Sequence, residues 1–534
     1  MNQPDADVIV VGSGFGGAVT ACRLAQSGAR VLVLERGRRW TTETYPRAVD
    51  DPWLFDSRRP HKKNGWLDVR FFPKMIVAQG AGVGGGSLCY SSVVLRPKAH
   101  IFNEGWPSQI RFQDLEPHYE LVSRMLGVRT IPQNQRTARN QLLREAAANS
   151  GYTSQVFDTP LAINFDDAFR FDPERPHAID QVVAQKNSHG RWQGSCMHLG
   201  NCDIGCDVLA KNTLDLNYIA SAENWGADVR PLHIVNAISV ENGGYRVDYQ
   251  RIAEGKLTAG SVRSPKVVLA AGSLGTTELL LRCRDQLRTL PNLSRQLGTR
   301  WSPNGNVLTP AIYADCARVQ QSTGPTISAG LDFTDVLNDS SSFVIEDDGF
   351  PNVLFNAIRA GSDRGLLSVA GWTWFDQVLR AKFSRTEHRN LLAGIMVWLG
   401  AGMDKGDGRL SLRNPWYAPW TQKLQLAWSP DSAMDVVTKI LRVHSELSQS
   451  TGGNLKIPRL WRWFRTMISV HPLGGCAMGD TRDTAVVDHA GQVFGYQGLY
   501  VCDGAMIPKP IGLNPSMTIA ALAERNAALL GRAG

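Results

Sequence analysis

Residues Asp7–Val11 read DVIVV, an apolar run of strand length rich in β-branched side chains, and GSGFGG follows at once. Gly12, Gly14 and Gly17 fall in the G-x-G-x-x-G spacing. Ala18–Ser27 then reads as a helix closed by Gly28, and a second apolar strand, Arg30–Leu34, ends in Glu35. This stretch constrains the fold most tightly, because every part of a βαβ unit is present in register. Glycines at these places let the backbone and the helix N-terminus approach a pyrophosphate. Glu35 is placed to accept hydrogen bonds from an adenosine ribose. NAD and FAD both satisfy the motif.

A second glycine cluster, Gly80–Ser87 (GAGVGGGS), follows the apolar stretch Met75–Ala78. So many tight backbone positions suggest a loop packed on a flat, extended ligand and favour FAD. A glycine-rich hairpin is the alternative. Lys266–Ala271 and Gly498–Asp503 read as further strands, Ser273–Leu281 as a helix, and Met517–Leu530 as a long final helix with apolar residues at helical spacing.

Composition narrows the class. The 534 residues are 43% hydrophobic and 20% charged, which suits two or three domains or an interleaved pair and excludes a disordered chain. The formal charge of +8 is small for this size, and no long basic block gathers it, so nucleic acid is not an expected partner. The longest nearly uncharged apolar stretch, Leu391–Met403, is too short to span a bilayer and reads as a core element. No signal peptide is visible, so a cytoplasmic location is the expectation, with peripheral membrane contact held open. The nine cysteines are then expected as reduced thiols or ligands.

Six ordered motifs make the chain resemble the glucose–methanol–choline oxidoreductases, and among them the cholesterol oxidases. They are GSGFGG near the start, GVGGGSL at Gly82–Leu88, RWSPNGN at Arg300–Asn306, SSFVIEDDGFP at Ser341–Pro351, HPLGG at His471–Gly475, and LYVCDGAMIP with GLNPSMTIAALAERN at the end. The resemblance covers nearly the whole chain. It implies an α/β fold, with a Rossmann-like FAD-binding domain interleaved with a substrate domain on a mostly antiparallel β-sheet. Residues 1–100, 195–310 and 465–534 are expected in the first domain, and 101–194 and 311–464 in the second. It also implies FAD-dependent oxidation of an alcohol by hydride transfer. The flavin contacts it assigns are Gly12, Gly14, Phe15, Gly17, Glu35, Gly82, Gly84, Gly85, Gly86, Ser87, Val235, Gly272, Asp503, Gly504, Asn514 and Pro515.

Hydride removal from an alcohol needs a partner for the hydroxyl proton and a donor that fixes the substrate oxygen. A histidine before proline is often structural, but His471 matches the active-site histidine of the family. Asn514 matches its Asn–Pro position; the amide can bond the hydroxyl and later the carbonyl, and a turn residue before proline is the plainer reading. Glu346 matches the glutamate that serves cholesterol oxidases as the base moving a double bond after oxidation. Here Asp347 and Asp348 follow it where the family pattern is apolar, and three adjacent acids also read as a solvated turn. If Glu346 instead faces an apolar pocket, its pKa rises and suits it to base catalysis. A second departure is Tyr90, Ser91 and Ser92, where cholesterol oxidases tend to carry Asn-Gly-Gly.

Cys196, Cys202 and Cys206 are spaced C-x5-C-x3-C. Close thiolates are the usual device for a soft metal or an iron–sulfur cluster. The segment resembles the three-cysteine stretch that holds a [3Fe–4S] cluster in flavin-dependent sugar dehydrogenases. Buried, unmetallated thiols are the competing reading. Aromatics beside cations recur at Leu366–Arg385 and at Leu460–Arg465 (LWRWFR), and suit a membrane interface, the rim of an apolar substrate entrance, or ordinary core packing. Three functions follow as hypotheses. One is an alcohol oxidase acting on a sterol or other bulky apolar alcohol with oxygen as acceptor. Another is a dehydrogenase passing electrons through the cluster to a quinone, cytochrome or partner subunit. The third is a flavoprotein without redox turnover, against which His471 and Asn514 speak.

Overall fold

A computed structural model describes residues 4–48, 50–170, 182–335, 342–351, 353, 393–414 and 422–532. The tryptophan-rich stretch 366–375 and the cations at 380, 382 and 385 lie outside the described residues, as does Ser341.

Five short strands form a wholly parallel sheet in the order Leu499–Val501, Lys266–Leu269, Val8–Val11, Val31–Leu34, Asp228–Arg230. Both faces of its middle are covered, which is why Val8–Val11 and Val31–Leu34 are unbroken apolar runs with every residue buried. The helices Phe15–Gln26, Tyr218–Asn224 and Ser516–Arg532 pack together beside the sheet. Glu524 joins them: it accepts from Arg23 Nε and Nη2 at 2.7 Å each and from Tyr218 Oη at 2.7 Å. Glycine is required at Gly12, where φ is +96° and a Cβ would stand 2.4 Å from Ala270 O. At Gly17 a Cβ would stand 2.1 Å from Gly12 O, so the helix could not lie this close to the strand.

The second large sheet is antiparallel and six-stranded: Asn454–Leu455, Val307–Ile312, Ile395–Gly402, Phe343–Asp348, Ala329–Asp332, Val156–Asp158. Ile395–Gly402 is the buried core of the apolar stretch singled out in the sequence. Helix Met434–Ser450 buries Val436, Val437, Ile440, Val443, His444 and Leu447, a spacing of three and four that forms one apolar stripe against this sheet. Arg139, fully buried on helix Ala138–Asn149, donates to the carbonyls of Gln321 (2.7 Å), Thr323 (2.9 Å) and Pro325 (2.8 Å) and so shapes the loop before Ala329–Asp332.

Smaller sheets complete the frame. Strands His233–Glu241, Gly244–Ala253 and Lys256–Ser264 form a meander. Leu67–Phe72 pairs antiparallel with Met75–Gly80, which pairs parallel with Met467–Ser469. That last pairing brings the HPLGG segment beside the second glycine cluster. One contiguous apolar core runs through both large sheets.

Candidate active site

The carboxyl ends of the parallel strands carry the first group of residues, where open α/β sheets bind ligands. Glu35 is buried there. Its Oε2 accepts from Ser13 N (3.0 Å) and Ser13 Oγ (2.8 Å), and its Oε1 from Gly37 N (2.8 Å). A carboxylate has about four acceptor sites, so roughly one remains for a ribose hydroxyl. Gly84 N donates to Ser13 Oγ at 3.1 Å, which locks the two glycine clusters together. Helix Phe15–Gln26 has no side-chain cap on its N-terminal N–H groups, and a Cβ on Gly86 would meet nothing within 4 Å. An uncapped helix start facing open space beside a buried ribose acid fits a dinucleotide such as FAD.

The other expected contacts take distinct places. Phe15 stands edge-on to Tyr90, with ring centroids 5.5 Å apart. Ser87 Oγ donates to Gly84 O at 2.7 Å and accepts from Leu214 N at 3.0 Å, so its hydroxyl shapes the loop. Val235 lies two residues beyond His233, whose N–H donates to Glu35 O at 2.8 Å. Asp503 accepts from Gly272 N (2.8 Å), Thr276 Oγ1 (2.5 Å) and Ala505 N (2.7 Å), and burial pushes its carboxyl up to about 6. Gly504 O accepts from Gly474 N at 2.9 Å, which ties this turn to HPLGG. Pro515 is buried just before helix Ser516–Arg532.

His471 is held by Asn306. The Asn306 side-chain oxygen accepts from Val470 N (3.2 Å) and Ser469 Oγ (3.4 Å), so its Nδ2 faces His471 Nδ1 at 2.9 Å. Nδ1 is therefore the acceptor, and the imidazole carries its proton on Nε2, an assignment made from the network. Burial lowers the His471 pKa to about 4, so the ring is neutral at physiological pH.

Asn304 does the same for the other loop. Its Nδ2 donates to Leu513 O at 2.7 Å, and its Oδ1 accepts from Ile511 N (3.1 Å) and Gly512 N (3.0 Å). Asn514 follows directly, and its Nδ2 donates to Glu346 Oε2 at 3.2 Å. Among the described residues His471 makes no hydrogen bond to Asn514 or Glu346. The segment Asn304–Gly305–Asn306 couples them by gripping both loops. Neither asparagine was singled out as a site residue in the sequence, although both stand in RWSPNGN; their partners are 165 and more than 200 residues away.

The solvated-turn reading of Glu346–Asp348 is overturned. Phe343–Asp348 is an interior strand with Glu346 paired to Gly330 on one side and Leu399 on the other. Glu346 is 0% exposed. Burial, opposed by the Asn514 hydrogen bond and aided by Asp347, pushes its carboxyl up to about 8. Glu346 Oε1 and Asn514 Oδ1 are buried and without a hydrogen-bond partner.

The iron–sulfur expectation is not met by the geometry. Among the described residues no group of three or more Cys, His, Asp or Glu side chains is arranged to hold a metal ion. Cys196, Cys202 and Cys206 are free thiols tied into their surroundings by backbone bonds: Cys196 N donates to Asn164 O at 2.8 Å, and Leu209 N to Cys206 O at 3.0 Å. Burial raises the Cys196 thiol well above its usual range and Cys202 to about 11. The cation beside them is the buried Lys211 ammonium. It donates to Leu88 O (2.8 Å) and Cys202 O (2.6 Å) and sits 4.9 Å over the Tyr90 ring. This segment thus clamps the glycine loop.

Two family models, both described as GMC oxidoreductase, match residues 6–166 and 410–523. The chain is 30% identical to a cholesterol oxidase of Acinetobacter baumannii, across 98% of this chain and 94% of that protein. It is 29% identical to a cholesterol oxidase of Mycobacterium tuberculosis, across 99% and 91%. In fold it is similar to pyridoxine 4-oxidase from Mesorbium loti, with a TM-score of 0.63 at 14% identity over 98% of this chain and 99% of that one.

Proposed function

This chain belongs to the GMC oxidoreductase family, as an FAD-dependent alcohol oxidoreductase, and we propose that it oxidises a sterol or similarly bulky apolar alcohol to the ketone or aldehyde with oxygen as acceptor. One observation carries the reading. Glu346 Oε1 and Asn514 Oδ1 are two buried polar atoms without partners, next to a loop system that also presents His471. Buried orphan acceptors of this kind call for a polar ligand that donates, and a substrate hydroxyl can donate to one of them.

The bound FAD supplies the hydride acceptor. Ser13, Glu35 and the two glycine clusters would hold it. His471, neutral and protonated on Nε2, donates to the alcohol oxygen. Asn514 orients Glu346 and offers its amide to the hydroxyl, then to the carbonyl. Glu346 in its carboxylate form takes the hydroxyl proton, and its raised pKa makes it a stronger base than an exposed carboxylate. The apolar body of the substrate is supported by the names of the relatives and by helix Arg459–Phe464, where Trp463 is 70% and Phe464 59% exposed beside Arg462 and Arg465. An aromatic–cationic rim suits entry from a lipid surface. Among the described residues no helix is long and apolar enough to cross a membrane. No observation favours the cluster-linked dehydrogenase.

We also place the FAD-binding unit at residues 1–100, 195–310 and 465–534, which contain all five parallel strands. The test of function is anaerobic titration of the purified flavoprotein with a panel of sterols and long-chain alcohols. Bleaching of the flavin by a member of the panel, and peroxide on admitting oxygen, is expected. Bleaching by small polar alcohols only would overturn the substrate reading.

A further inference from the structure

Three arginines follow the ribose acid in Glu35–Trp40, which reads ERGRRW, and two of them are spent. Arg36 Nη1 donates to Asp68 Oδ2 at 2.7 Å, and Arg39 Nη2 donates to Glu223 Oε1. Arg38 differs. Among the described residues its guanidinium makes no hydrogen bond and no ion pair, and its Nε is buried without a partner. The guanidinium lies over the Trp40 ring, 5.0 Å from its centroid. Trp40 is itself buried and is pinned by its Nε1, which donates to Ala81 O at 2.9 Å. Backbone contacts set this segment against the second glycine cluster. Val83 N donates to Arg38 O at 3.0 Å. A Cβ on Gly37 would stand 2.3 Å from Gly82 N, and one on Gly82 would stand 2.5 Å from Trp40 Cδ1. Gly37 N donates to Glu35 Oε1 at 2.8 Å, so one short segment carries both the ribose acid and an unspent cation.

We propose that the Arg38 guanidinium, laid on Trp40 beside Gly82–Val83, binds the diphosphate of the FAD. The inference rests on FAD being the dinucleotide held by Ser13, Glu35 and the two glycine clusters. A diphosphate diester carries two negative charges at neutral pH. The uncapped start of helix Phe15–Gln26 answers only about half a charge, so a cation is needed to complete the match. The buried Lys211 ammonium below the same loop is spent on the carbonyls of Leu88 and Cys202. Arg38 is the cation left over. Its planar fork takes two phosphate oxygens at once, and stacking on a fixed indole means that little side-chain freedom is lost when the anion arrives. A partly buried guanidinium without a partner costs stability in the flavin-free protein, and a bound phosphate offsets that cost. This role accounts for a cation at position 38 that no carboxylate meets.

The test is FAD release from the purified holoenzymes, followed by the flavin fluorescence that appears on dilution into rising sodium chloride. ADP and adenosine are added in parallel as competitors for the vacated site. Arg38→Met should hold FAD about 10- to 100-fold more weakly than the wild type, and its release should depend less on salt because a charge pair has gone. ADP should lose affinity by a similar factor, while adenosine, which has no phosphate, should compete as well as before. Arg38→Lys keeps the charge without the fork; it should stay within about threefold of the wild type and retain the salt dependence. Arg38→Gln serves if the methionine variant does not fold. Wild-type retention and salt dependence in Arg38→Met would overturn the proposal, as would an equal loss for ADP and adenosine, which would assign Arg38 to the adenine or to the shape of the loop. A wild-type protein purified without flavin and unable to take it up would refute the FAD assignment itself.

Discussion

Asn306 donates from Nδ2 to His471 Nδ1 at 2.9 Å while its side-chain oxygen is fixed by Val470 N–H at 3.2 Å. The amide cannot turn without losing both bonds, so one asparagine sets the tautomer of the histidine. Asn306→Ala frees the ring to place its proton on either nitrogen. Flavin reduction should slow by about 10- to 100-fold, with FAD content unchanged. Asn306→Asp puts a carboxylate against Nδ1 and should raise the His471 pKa from its present value of about 4. The acid limb of the pH profile would then move upward in stopped-flow reduction. An Asn306→Ala enzyme with wild-type rates would refute the tautomer argument.

Glu346 makes stability as well as activity depend on pH. Its folded pKa, about 8, lies above the ordinary value of 4.5. The native state therefore holds a proton that the unfolded chain has released between these values. The stabilisation is complete below about 4.5 and is lost as pH rises through about 8. Glu346→Gln removes the titration, so the melting temperature of the wild type should fall relative to the variant between pH 5 and pH 9. Parallel melting curves across this range would contradict it.

His444 gives the opposite sign. Burial lowers its pKa to about 3, and Thr309 Oγ1 lies 2.6 Å from its Nδ1. A lowered folded pKa contributes stability that is present above about 6.5 and is lost as pH falls towards 3. His444→Gln should reduce the steepness of acid unfolding in a pH titration followed by near-ultraviolet circular dichroism. Unchanged steepness would assign acid unfolding to other groups.

The glycine motif was legible because everything that defines it lies within thirty residues: Gly12, Gly17 and Glu35 occupy the predicted βαβ unit, and Ser13 adds its bonds to the same acid. The acidic triplet was ambiguous because local polarity cannot reveal partners 18 and 168 residues away, namely Ala329 and Asn514. Strand alternation resolves it by giving the three acids two different faces. The cysteine spacing misled for a related reason. Three thiols near in sequence look like ligands, but Cys202 lies in a turn clamped by Lys211, whose ammonium bonds carbonyl oxygens. Asn304 and Asn306 were hidden because a positioning amide has no pattern of its own.

Lys211 supplies the last prediction. A buried ammonium costs several kcal/mol to desolvate unless its donors are satisfied, and here the carbonyls of Leu88 and Cys202 and the Tyr90 ring do so. Leu88 closes the second glycine cluster, so the bond holds that loop against Gly12–Gly14 through the Gly84–Ser13 contact. Lys211→Met keeps most of the bulk and removes the donors. Two carbonyls then lose a charged partner, worth about 1.5–3 kcal/mol each. The variant should release FAD on dilution or gel filtration far more readily than the wild type, while its apoprotein keeps wild-type far-ultraviolet circular dichroism. Cys202→Ser keeps the backbone carbonyl that Lys211 bonds, and should retain FAD and its rate of reduction. Iron and acid-labile sulfide should be absent from both proteins and from the wild type purified anaerobically. A Lys211→Met protein with full FAD retention would show that the clamp does not hold the loop, and iron lost selectively on Cys202→Ser would restore the cluster.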